Sequence, residues 1–210
     1  GGLMSGADIA AAAAPLGLMV AGRVEDDSRH ILLLAPDEPS FWAIFTASPE
    51  FLDRQPDPMD RWSKRVIGGL AETFGGTALF PSDGPPYPPF YTWAVNSQRC
   101  WPSPVTLLVH DVSGLFISFR GAIELDGKPA AALDTVNPCH SCTGQPCTTA
   151  CPAGALTAAG YDVPRCHAFL DTDAGHDCMT NGCRVRRACP VGQNRRHPDQ
   201  SAFHMRHFHK

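Results

Sequence analysis

Eight of the nine cysteines in this 210-residue chain fall between Cys139 and Cys189. The first four read Cys139-x2-Cys142-x4-Cys147-x3-Cys151, with Pro152 next; the second four are Cys166, Cys178, Cys183 and Cys189, with Pro190 next. Thiolates at this density bind metal or pair as disulfides. An iron–sulfur cubane needs four thiolates converging from different directions. Three closely spaced cysteines can wrap one face, and the fourth must come from elsewhere because a short loop cannot encircle the group. A proline directly after a cysteine fixes φ and removes an N–H, so the chain turns away there.

Cys-x3-Cys-Pro downstream of Cys-x2-Cys resembles the bacterial ferredoxin run, in which the cysteine before proline ligates the other of two clusters. That logic assigns Cys139, Cys142, Cys147 and Cys189 to one [4Fe-4S] cluster, and Cys151, Cys166, Cys178 and Cys183 to a second. The small residues Ala153-Gly154-Ala155 let backbone N–H groups approach the sulfurs. Three alternatives stay open. Structural zinc favours paired Cys-x2-Cys knuckles, of which there is one. Disulfides require an oxidising compartment. A single cubane with surplus cysteines is allowed by the loose spacing of the second half. With eight cysteines in hand, His140, His167 and His176 read as surface histidines. Cys100, between Arg99 and Trp101, reads as a buried inert thiol, and His204, His207 and His209 as part of an amphipathic end.

The elements that must position these groups are mixed. Ser5 is placed to cap a helix over residues 6–14, stopped by Pro15 and Gly17, with a strand from Leu18. Residues 31–34 and 41–45 are short apolar runs separated by a Pro36–Pro39 turn. Asp57 as N-cap and Pro58 at the first position open a helix. Its stripe is Met59, Trp62, Val66, Leu70 and Phe74, and Gly75-Gly76 ends it. Residues 81–89 form a proline-rich loop. Tyr87, Phe90, Tyr91 and Trp93, in and after it, are candidates to cover a planar cofactor or to pack on a core edge. Residues 105–110 and 115–125 flank Asp111–Gly114 and read as a β-hairpin. Asp126-Gly127-Lys128-Pro129 is a further turn. The reading is an α+β body over residues 1–135, a possible corrinoid- or flavin-binding domain, followed by an iron–sulfur module over residues 136–210.

Hydrophobic content of 43% allows a packed core and argues against wholesale disorder. Residues 1–135 hold 9 basic and 16 acidic side chains; residues 136–210 hold 8 and 5. A basic tail can read as a nucleic-acid surface. The favoured reading is compensation, because each oxidised four-thiolate cubane carries about two negative charges and Arg184, Arg186 and Arg187 lie between ligand candidates. The apolar run at residues 9–22 lacks a basic leader and is too short to span a bilayer. The expectation is a cytoplasmic protein with no membrane partner and thiols used as ligands.

Residues 139–190, with Arg165-Cys166 between the two sets, resemble the two-cluster ferredoxin module of the epoxyqueuosine reductases and the related reductive dehalogenases. The order of eight ligands matches. Cys142-x4-Cys147 stands where the family has x2, and Cys183-x5-Cys189 where it has x3. Residues 43–54, the helix from Asp57, and residues 108–125 with Phe119-Arg120-Gly121-Ala122 resemble the family of the vitamin B12 processing protein of the methylmalonic aciduria and homocystinuria C type. That resemblance implies a nitroreductase-like α+β body that binds cobalamin; it supplies no matching catalytic acid. The whole chain also resembles short bacterial proteins called ferredoxins. The resemblances imply an iron–sulfur oxidoreductase of the corrinoid-reductase kind, served by a redox partner protein. The alternatives are a non-catalytic electron carrier or corrinoid-handling protein, and a zinc-stabilised binding module.

Overall fold

Two apolar runs on either side of Asp27-Ser28 build the first hairpin. In a computed structural model, which describes residues 6–127 and 133–210, helix α1 (Gly6–Ala13) leads into β1 (Leu18–Asp26) and β2 (Arg29–Pro36). The two strands pair antiparallel, with Asp26 opposite Arg29. Asp27 and Ser28 both take positive φ, 47° and 65°. That is what a two-residue turn of the primed type needs to match the twist of its strands. The expected cap Ser5 lies outside the described residues.

Along the chain follow α2 (Ser40–Thr46), α3 (Pro49–Leu52), α4 (Pro58–Thr73), β3 (Thr77–Leu79), α5 (Phe90–Asn96), β4 (Cys100–Pro102), β5 (Leu108–His110) and β6 (Gly121–Leu125). After the cysteine-rich turns come β7 (Leu156–Thr157), β8 (Gly160–Tyr161), α6 (Val163–Leu170), α7 (His176–Asn181), α8 (Arg184–Ala188) and α9 (Pro198–Phe208). Antiparallel sheets and separate helices make the chain α+β. No helix among the described residues is long and apolar enough to cross a membrane.

The chain divides into two compact units: one of residues up to Arg99 plus Ser118–Thr135, the other of Cys100–Ile117 plus Val136–Lys210. The second unit resumes at residue 136, where the sequence reading begins its module. It also claims Cys100–Ile117, which that reading assigns to the body.

In the first unit an antiparallel sheet runs β1-β2-β6-β3. β2 is buried along all but its first residue, as a central strand covered on both faces must be. The apolar run at residues 41–45 is helical. Phe41 and Phe45, one turn apart, stack at 5.7 Å, and both meet Trp62 of α4 edge-on, a preferred aromatic geometry. The α4 stripe forms as its periodicity demands: Met59, Trp62, Val66 and Leu70 are buried, and Phe74 is half-buried at the helix end. Asp57 precedes the helix but does not cap it, because its backbone is left-handed (φ 52°) and its side chain makes no cap bond. Gly75 follows at φ 68°, the left-handed stop that favours glycine.

Of the two readings of the aromatics at residues 87–93, packing on a core edge describes Phe90 and Trp93. They belong to the core side of α5, and Trp93 Nε1 donates to Asp26 Oδ2 at 2.9 Å. Tyr87 and Tyr91 stay exposed. One expectation changes: residues 105–110 and 115–125 are not a hairpin. β6 pairs with β2 and β3, while β5 pairs with β4. The turn between them closes on itself through a His110–Gly114 bridge. Strand periodicity marks each run as extended, but partners are set by which buried edge is free, and β2 offers the longer one. Arg120, just before β6, is an internal strut: its guanidinium donates to Asp60 Oδ1 at 2.6 Å and Ser63 Oγ at 3.1 Å.

Candidate metal centre

The second unit owes its core to a few aliphatics packed among sulfurs. Val105, Val109, Leu115, Leu156 and Val185 are buried with Cys147 and Cys189. Short turns between prolines and glycines, rather than long elements, carry most of the cysteines. Cys139 sits in a 3-10 turn at Pro138–His140, with its N–H accepted by Asn137 Oδ1 at 2.9 Å. Cys147 sits in a second such turn, Pro146–Thr148. Cys166 is in α6, Cys178 in α7, Cys183 directly before α8 and Cys189 directly after it. All nine cysteines are free thiols.

Four of the eight cysteines, drawn from both motifs, share one concavity. Cys139, Cys142, Cys147 and Cys189 line this solvent-open concavity together with Val109 and Leu115. Burial pushes the Cys139 thiol up, and the charges of Cys189, Cys147 and Cys142 push it further. Cys147 is raised by burial and by Cys189 and Cys142, against N–H donation from the backbone of Cys147 and Thr148. In the other four, burial raises Cys166; a hydrogen bond from Tyr161 lowers it, and Cys183, Cys151 and Cys178 raise it. Cys178 is raised by burial and by Cys183, while the Arg184 N–H and the Arg187 charge oppose that. Cys189, before the second proline, thus lines the concavity of the first motif, and the charge of Cys151, before the first proline, acts on Cys166. Ala155 N–H reaches Cys151 Sγ at 3.3 Å, in the small-residue stretch expected to admit such donors.

Cysteine thiols are donors for zinc and for iron–sulfur clusters alike. No three His, Cys, Asp or Glu side chains among the described residues gather as tightly as one metal ion needs. The four raised thiols, Cys139, Cys147, Cys166 and Cys178, favour protonated sulfur, and any metal bound by them as thiolates would release protons.

Residues outside the cysteine motifs complete the site, and spacing alone does not announce them. Val109 and Leu115 line the concavity, and residues 110–117 pack beside it. His110 is fully buried; its Nδ1 accepts from the N–H groups of Val112 and Ser113, both at 3.1 Å. Arg196 donates to Phe116 O at 2.8 Å and lies over the Phe116 ring at 4.7 Å. Arg186 donates to Leu115 O. Gly114 touches the Cys189–Val191 turn so closely that a Cβ there would stand 2.2 Å from Val191 O. Tyr161 Oη donates to Cys166 Sγ at 3.5 Å; burial, then that bond, hold the phenol above its usual value.

The remaining sequence candidates lie apart from the two fours. Cys100 is fully buried in β4, opposite His110. His167 packs edge-on against Phe208 and His209. His209 Nε2 bonds Asp171 Oδ1 at 2.7 Å. His176 Nε2 meets Thr180 Oγ1 at 3.3 Å. His204 and His207 lie in α9 and His209 is its C-cap, a helical end as expected.

The arginines between the ligand candidates are locally partnered. Asp177 accepts from Arg184 Nε at 2.7 Å, Asn181 Nδ2 at 3.0 Å and Arg187 Nη2, tying α7 to α8. The bond from Arg184, then that from Asn181, hold its carboxyl well below the usual carboxylate range. A depressed carboxyl contributes its stability above the unfolded value and loses it as pH falls through the folded one. Asp177→Asn should therefore destabilise the anaerobic protein by about 1 kcal/mol at pH 7, given solvent screening. In urea titrations that difference should shrink as pH drops below about 4. A difference constant from pH 7 to pH 3 would contradict the ionic assignment.

No family model matches this chain, and no curated protein and no solved structure matches it.

Proposed function

We propose that this chain is an electron-transfer protein whose second unit holds two [4Fe-4S] clusters, one on Cys139, Cys142, Cys147 and Cys189, the other on Cys151, Cys166, Cys178 and Cys183. The observation that carries this reading is the concavity shared by Cys139, Cys142, Cys147 and Cys189, four free thiols drawn from both motifs. Such clusters take up and release one electron at a time. The chain's own part is to converge four thiolates on each, to supply an N–H donor from Ala155 to Cys151 Sγ, and to back them with Val109, Leu115 and Val185. Free thiols as ligands suit a reducing compartment such as the cytoplasm.

The body is then the partner or the acceptor. A nitroreductase-like body over residues 1–99 and 118–135 would receive electrons on a corrinoid or a flavin, making the chain a corrinoid-reductase-like oxidoreductase. A body that binds neither leaves a ferredoxin-like carrier that hands electrons to a separate redox protein. Tyr87 and Tyr91 are exposed aromatics open to a planar ligand in this unit.

Anaerobically purified protein should be brown, with about eight irons and eight acid-labile sulfides per chain. Colourless protein with stoichiometric zinc and no sulfide overturns the proposal. Titration with cobalamin and with flavin mononucleotide then separates the two roles of the body: micromolar binding of either supports the reductase, and binding of neither leaves the carrier.

A further inference from the structure

The geometry points to Tyr161 as the residue that separates the potentials of the two centres, its phenol O–H donating to Cys166 Sγ and raising the potential of the centre that Cys166 serves. This rests on the proposed function above. The donor is held from several sides. Tyr161 ends the short β7–β8 hairpin, where it pairs with Leu156. Its ring stacks on Phe208 of α9, with centroids 6.2 Å apart and planes 15° from parallel. Phe208 in turn packs against His167, the residue after Cys166 on α6. Hairpin, α6 and α9 thus fix the phenol oxygen 3.5 Å from the sulfur, and the side chain is 38% exposed.

The chemistry is a matter of charge. One-electron reduction by a low-potential donor adds one negative charge, shared by the ligand sulfurs, and moves no proton. A hydrogen bond into one of those sulfurs is stronger when the sulfur carries more charge. It therefore favours the reduced form, and hydrogen bonds to sulfur are among the levers that set cluster potentials. The phenol keeps its proton throughout and acts through Cys166, so Tyr161 is a positioning residue.

The test is an anaerobic redox titration of the full chain with dithionite, followed by electron paramagnetic resonance. It compares the natural protein, Tyr161→Phe, and a chain with 3-fluorotyrosine at position 161, a stronger donor on the same ring. Tyr161→Phe should lower one of the two one-electron steps about tenfold in its reduction equilibrium constant, which is 59 mV for one electron. The other step should not move, and fluorotyrosine should shift the same step upward. Full iron content with no shift in either variant, or an equal shift of both steps, overturns this inference and leaves the proposed function standing. Natural protein without iron and sulfide overturns both. Should Tyr161→Phe not assemble, the sign of the fluorotyrosine shift decides.

Discussion

Cys189→Ala should cut the iron content from about eight to about four per chain, and the surviving cluster should be the one on Cys151, Cys166, Cys178 and Cys183. A reading by sequence neighbours alone expects the reverse, because Cys189 follows Cys178 and Cys183 and its loss should damage their centre. The structure separates these outcomes. Cys189 lines the same concavity as Cys139, Cys142 and Cys147, and its charge acts on Cys139 and Cys147. Cys151, though it closes the first motif, acts on Cys166. Cys151→Ala should accordingly spare the first centre and remove the second. Iron and sulfide analysis counts what is lost. Resonance spectra of Cys189→Ala and Cys151→Ala should be complementary and together reproduce the natural protein. If both substitutions remove the same centre, the crossover is wrong.

A single methyl group at Gly114 should do nearly as much harm as losing a ligand. Gly114 has φ 58°, where a side chain is strained, and its Cβ would stand 2.2 Å from Val191 O and 3.1 Å from Cys189 Sγ. Gly192, across this contact, has φ 74°, and its own Cβ would meet the Ser113 backbone at 2.8 Å. Backbone faces backbone, so no rotamer relieves the clash, and the turn carrying Cys189 must move. Gly114→Ala should destabilise the protein by about 2–4 kcal/mol and lower occupancy of the first centre, leaving about four irons. Gly68→Ala is the control: a Cβ there meets nothing within 4 Å, and in a helix that change is expected to stabilise by about 0.5–1 kcal/mol. Denaturant unfolding and iron analysis of both variants check this. A Gly114→Ala protein with full iron and natural stability would show that residues 110–117 are no part of the site.

The sequence by itself determined most local elements and where the thiols are concentrated. Thiol spacing and the two Cys-Pro pairs, read through the resemblance to ferredoxins, led to the proposed crossover of Cys151 and Cys189, because a ligand that must come from outside a short loop leaves its mark in the linear order. The α4 stripe and its Gly75 stop were equally legible, since helix periodicity and left-handed glycine are properties of a few adjacent residues. Local rules reached less far at Asp57, whose left-handed backbone takes its side chain out of capping range, and at residues 41–45, where aromatic packing on Trp62 accompanies a helix. Only the tertiary structure decided pairings between distant segments. Residues 105–110 and 115–125 both read as extended, yet one lies with β4 and the other with β2 and β3. Nothing within either run names its partner. The same holds for Gly114 against Val191 and for Tyr161 against Cys166. These contacts depend on where the backbone passes after folding, so they became part of the candidate site only when the chain was seen in three dimensions.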